Sequence, residues 1–167
     1  MAFIIDDNKV GWQQIADIDT TKRHPLGQIV RATDATLGAG EFIYLRGVAS
    51  TSRAGYIVRY DDGFQTALNT SALTDSLPLA VSMAACTASY YGWYQISGLA
   101  VAAKASATTM ADGAGLASAS GLAIAVSTNV QIQGAVVRTV TTSSGAGSTT
   151  VAIAINRPHD IATAVAA

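Results

Sequence analysis

Few side chains in this sequence suit proton transfer or nucleophilic attack, so their positions carry much of the functional argument. The two histidines, His24 and His159, adjoin Pro25 and Pro158 in expected loop positions. They are the conventional imidazole bases available near neutral pH. A serine or cysteine nucleophile needs such a base within hydrogen-bond reach, but no Gly-x-Ser-x-Gly elbow or comparable context is present. Three carboxylate pairs, Asp6-Asp7, Asp17-Asp19 and Asp61-Asp62, fall in the N-terminal segment or in a turn, where aspartate serves backbone geometry and solvation. Asp61-Asp62-Gly63 lacks the alternating oxygen ligands and closing glutamate of a calcium loop. The glycines of TLGAGE and SSGAGS lack the Lys-Ser/Thr of a phosphate cradle. Cys86, the single cysteine, lies in the apolar run LAVSMAAC and reads as a small buried side chain. These patterns point away from an enzyme and assign no catalytic residue, no cofactor and no metal ligand.

The elements that would position these residues begin with an arm. From residue 1 to about 27 the apolar residues Ile4, Ile5, Val10, Trp12, Ile15 and Ile18 are irregularly spaced among acids and amides, with a short helical turn expected near VGWQQIAD. Pro25 and Gly27 mark its end. The arm has too little apolar content to fold alone, yet Trp12 and the isoleucines need a partner surface, either another protein or its own domain. Residues 28–160 form the domain proper, and 161–167 a short tail.

Strand signals fill that domain. QIVRAT, EFIYLRGV and GYIVRYDDGFQTAL follow one another, and Gly63 is expected to supply the positive φ of a hairpin turn. Alternation sets Phe42, Tyr44 and Arg46 on one face, with Ile43, Leu45 and Gly47 on the other. In SYYGWYQISGLAVAAKAS, Tyr90, Gly92, Tyr94 and Ile96 share one face and Tyr91, Trp93, Gln95 and Ser97 the other, so this strand is covered on both sides. Gly92 and Gly98 suggest a bulge or a close backbone approach. After Tyr94 there are no further aromatic residues. LAVAAKAS, GLAIAVST, VQIQGAVVRTVTT and STTVAIAINRP continue as strands of small and β-branched residues, with Ser143–Gly147 as a hairpin connection and TTMADGAGLASASG as a loop. The fold class is all-β, a small antiparallel β-barrel or β-sandwich with an extended N-terminal arm.

Charge narrows the choice of partner. The chain is 167 residues long with 13% charged side chains, about half the usual share for a soluble domain. Eight acids and seven lysines or arginines occur up to Asp62, whereas only Asp75, Lys104, Asp112, Arg138, Arg157 and Asp160 follow. A solvated surface normally carries mixed charge, so much of the C-terminal surface is expected to meet neighbouring protein. A net charge of -1 with one small basic cluster, Lys22-Arg23-His24, argues against nucleic acid as partner. The apolar runs are too short to span a bilayer, and the first residues lack the basic and apolar regions of a secretory signal. Synthesis in a cytoplasm, without a membrane partner, is the expectation.

The run HPLGQIVRATDATLGAGEFIYLRGVAS, then YYGWYQISGLAVAA and VAIAINRPHD, resembles small structural proteins encoded near the major capsid gene of tailed bacteriophages, the capsid decoration or cement class. The resemblance spans about His24 to Asp160, with GEFIYLRGVAS and YGWYQISG its more telling parts. It implies a β-barrel or sandwich on the outside of an assembled shell, with the major capsid protein as partner, a homo-oligomer, commonly a trimer although dimers and monomers occur in the class, and no catalytic residues. The expected localisation is the outer surface of the virion. On this reading Ile4, Ile5, Val10, Trp12 and Ile15 anchor the arm, while Phe42, Tyr44, Tyr91 and Trp93 make subunit or capsid contacts. Deleting residues 1–20 would then leave a folded domain that no longer binds shells. Two other readings are a different virion component, such as a head-fibre base or tail-tube protein, and a carbohydrate-binding module using the Tyr91/Trp93 face as a stacking platform.

Overall fold

The computed structural model describes residues 3–6, 11–47, 53–70, 76–85, 87–105, 108–126, 130–138 and 149–162. Val10, Cys86 and the Ser143–Gly147 connection lie outside the described residues. The described chain is all-β and contains no helix. Its strands are β1 (Ile4–Ile5), β2 (Ile18–Asp19), β3 (Ile29–Asp34), β4 (Gly38–Arg46), β5 (Ile57–Tyr60) and β6 (Thr66–Leu68) in the first part of the chain. There follow β7 (Leu79–Ser82), β8 (Tyr91–Ala103), β9 (Leu116–Ala119), β10 (Leu122–Ala125), β11 (Val130–Val137) and β12 (Thr150–Ala162).

Ten strands make one antiparallel sheet, along the path β1-β3-β4-β8-β7-β5-β6 with β2, β12 and β11 attached, and β9–β10 is a separate hairpin. The path runs between two edges and does not close, so of the two expected architectures the sandwich-like one describes it. β8 is the spine. Its first half pairs with β4, from Arg46↔Tyr91 to Glu41↔Ser97, and its second half with β12, from Asn156↔Ser97 to Thr150↔Ala103. The register slips between Glu41 and Phe42, which face Ser97 and Gln95. Ile96 is thereby left without a partner in β4, as in a β-bulge. Gly98 follows with φ of 102°, and a Cβ there would lie 2.6 Å from the Ala39 carbonyl oxygen. The glycine is required twice over, by its conformation and by the close approach of β4.

Three clusters form the interior. Phe42 and Tyr44 of β4 and Trp93 of β8 join Val30, Ala32, Phe3 and Ile15. Ile43 and Leu45, from the other face of β4, join Tyr94, Ile96, Val58 and Ala80. The two-faced alternation read from the sequence is thus seen in both strands. Beyond Gly98 the packing changes character: Ala100 and Ala102 of β8 meet Ile153 and Ile155 of β12, Ile132 of β11, and Leu116 and Ala123 of the hairpin. Alanines facing β-branched side chains let the hairpin sit close over the sheet, and this fills the C-terminal half without a single aromatic ring.

Three local expectations are corrected. Within VGWQQIAD, residues 11–17 form turns and extended chain instead of a helical turn, because their side chains and backbone are committed to the sheet beneath. Leu116–Ala119, expected as loop, is strand β9, held by pairing with β10. In the Asp61–Gly63 turn the positive φ belongs to Phe64, at 58°, and not to Gly63. The Phe64 ring packs against the Ile43/Leu45 cluster and over Gly27, where any Cβ would strike it, so tertiary packing holds this residue in a conformation its type disfavours.

Candidate functional site

The nine residues nominated as contacts separate by depth. Phe42, Tyr44, Trp93 and Ile15 are buried inside this chain, with Trp93 only 2% exposed, so the first three are interior packing residues instead of surface contacts. Ile5, Trp12 and Tyr91 are partly buried at the rim of the same cluster. Ile4 is 72% exposed on edge strand β1. Phe42, Tyr44, Tyr91 and Trp93 lie in one cluster, while sequence periodicity set only the face of each within its own strand. It could not distinguish a partner from the chain's own arm as their cover.

The arm is that cover. Phe3 meets Phe42 edge to face with ring centroids 4.9 Å apart, and Ile5 pairs with Ala32 across β1 and β3. Trp12 stacks on His24 at 4.8 Å, and His24 in turn contacts Tyr44 at 5.1 Å and Trp93 at 5.3 Å. Offset and edge-to-face contacts of this kind add roughly 0.5–1.5 kcal/mol per pair beyond burial. The polar stitching passes through Gln13, a residue without any signal in the sequence. The Tyr44 hydroxyl donates to Gln13 Oε1 at 2.9 Å, Trp93 Nε1 donates to the Gln13 carbonyl at 3.1 Å, and the Gln13 N–H donates to His24 Nε2 at 3.2 Å. Gln13 Nε2 donates to the Asp17 carbonyl at 2.8 Å. The polar ends of Tyr44, Trp93 and His24 are thereby satisfied without opening the cluster to water.

Electrostatics fit this packing role. Burial and the neighbouring Arg23 guanidinium push His24 below the usual histidine range, so the imidazole stays neutral and Nε2 stays an acceptor. Burial pushes the Tyr44 hydroxyl up. Asp19 is held low by the Thr21 backbone N–H and by Arg23, with which it forms an ion pair. His24 is enclosed by aromatic rings, whereas His159 is exposed on β12 opposite Gln133, and no described contact joins them. Asp61 accepts from the Gln65 N–H at 2.9 Å and caps its turn. No group of three metal-ligating side chains occurs among the described residues, and no described helix is long and apolar enough to cross a membrane.

Two features escape the sequence reading. A cleft of about 280 Å³ runs between the arm and the sheet, lined by Phe3, Ile15, Leu37, Met83, Gln95 and Val101 among others. Lys104 and Asp160 are buried, the Lys104 ammonium donating to the Thr108 carbonyl. Their only sequence signal is a lone charge in a small-residue strand, which reads equally well as a solvent-facing position. Comparison of the chain with family models, with curated proteins and with solved structures found no match.

Proposed function

We propose that this chain is a structural virion protein that binds the outer surface of an assembled phage capsid, contacts the major capsid protein there, and stabilises neighbouring capsomers. The observation that carries the proposal is the charge of the C-terminal half. From Gly63 onward six charged residues remain, and two of them, Lys104 and Asp160, point into the interior. Asp75, Asp112, Arg138 and Arg157 are all that this half can present to water. A surface so poor in charge suits one covered by protein more than one left in solvent. The arm is occupied within its own domain, so the binding surface is assigned to outward residues: Ile4, Ile29 at 43% exposure on β3, and the small-residue strands.

The mechanism is linkage. A protein that binds the assembled lattice and not its separated parts stabilises the lattice by mass action, and repetition by symmetry multiplies weak contacts into avidity. Association of the chain into a homo-oligomer, a trimer by resemblance, belongs to the same proposal. The test is cryo-electron microscopy of particles made with and without this chain. Ordered density on the outer lattice at a fixed copy number per capsomer supports the reading, while density confined to a vertex or tail, or none, rejects it. A glycan platform is disfavoured on one specific ground: Trp93, its proposed stacking ring, lies beneath Trp12 and His24.

A further inference from the structure

Arg46 closes β4 opposite Tyr91 of β8, where the turn that leads into β8 meets the end of β4. The Tyr90 N–H donates to the Thr87 carbonyl at 3.2 Å to form that turn, and the Gly47 N–H donates to the Tyr90 carbonyl at 2.7 Å to hold it against β4. Within the turn Ser89 has φ of 70°, a left-handed conformation that suits glycine and strains a serine. Its side chain is exposed, so burial does not account for a serine here. What that side chain reaches is Arg46, whose Nη2 donates to Ser89 Oγ at 3.4 Å.

This bond is long for a guanidinium donor, and it is the side-chain hydrogen bond that Arg46 makes among the described residues. The Arg46 Nε is buried with no hydrogen-bond partner. Nor does a carboxylate pair with Arg46 among the described residues. Asp19, which faces Tyr91 from β2, is taken by Arg23, and Asp61, in the adjoining turn, accepts from the Gln65 N–H. A half-buried cation with an enclosed donor and no counter-charge has lost hydration without compensation. An oxyanion supplies what is missing, accepting from the outer Nη protons and placing negative charge beside the enclosed Nε–H. The Ser89 hydroxyl completes the seat: its oxygen accepts from Arg46, so its proton remains to be donated.

We propose that Arg46 and Ser89 form a binding site for a small oxyanion, a carboxylate or a phosphate, at the junction of β4 and β8. The strained turn then has a use, since it holds the hydroxyl beside the guanidinium. The site stands whether or not the chain binds a shell.

The test is an NMR titration of the full chain with sodium acetate and, in a second series, with inorganic phosphate, at neutral pH and an ionic strength held constant with sodium chloride. The Arg46 Nε–H and Ser89 amide signals should shift saturably with at least one of the two anions, and the tighter of them names the ligand as carboxylate or phosphate. Arg46→Gln should abolish the saturable shift at Ser89. Ser89→Gly should weaken binding roughly tenfold, the worth of one hydrogen bond to a charged group, while its Tm rises because glycine relieves the positive φ. That split separates a ligand-binding serine from a structural one. The absence of saturation with both anions in the natural chain overturns the proposal, and so does an unchanged Ser89 response in Arg46→Gln. Unchanged binding in Ser89→Gly also overturns the site as a pair.

Discussion

Gln13 joins the arm to the sheet through both its backbone and its amide, and its removal tests how much of the cover depends on hydrogen bonds. Gln13→Ala leaves the Tyr44 hydroxyl proton without its acceptor, while the oxygen still accepts from the Arg23 N–H; this costs about 1–3 kcal/mol and should appear as a lower Tm in a thermal melt. His24 gives a pH test with a definite sign. Its folded form resists protonation, whereas the unfolded chain takes up a proton near pH 6.5. The contribution of this group is thus full above about 6.5 and declines as pH falls below it. An NMR titration should place the His24 midpoint below the ordinary value, and a midpoint at or above it would show that the aromatic stack does not exclude charge. None of this chemistry was legible in the sequence. His24 reads there as a loop imidazole and Gln13 as an unremarkable polar residue, because their roles come from rings on β4 and β8 that only the tertiary fold brings near.

At the scale of elements, the arm is part of the domain and behaves as one of its layers. Deleting residues 1–20 uncovers Phe42, Tyr44 and Trp93 together, so the truncated chain should melt well below the full chain or aggregate, as measured by calorimetry and light scattering. A truncation with unchanged Tm would show that the arm contributes no core. Gly98→Val should be at least as severe, by about 2 kcal/mol or more, since it combines a positive φ with a clash against Ala39. The β4 and β8 alternation was legible because their large apolar side chains mark a period of two unambiguously. β9 was not, since Leu-Ala-Ser-Ala among glycines has the composition of a loop and becomes a strand only by pairing with β10. The arm's destination lay between these cases: its need for a partner was visible, and the identity of that partner was set by contacts distant in sequence.

For the whole molecule, two covers on an open sheet give two different interiors: rings and hydrogen bonds under the arm, alanine and β-branched side chains under the hairpin. The spine has a further consequence for how the chain is made. β8 pairs with β4 through residues 41–46, which precede it, and with β12 through residues 150–156, which are translated much later. A growing chain can therefore close its arm, β4 and the first half of β8 while Leu99–Ala103 still lacks its neighbour. Domains assembled in such an order are exposed until the last segment arrives. Here the edge left waiting on the ribosome is an alanine-rich one, and the large aromatic surface is already hidden by then.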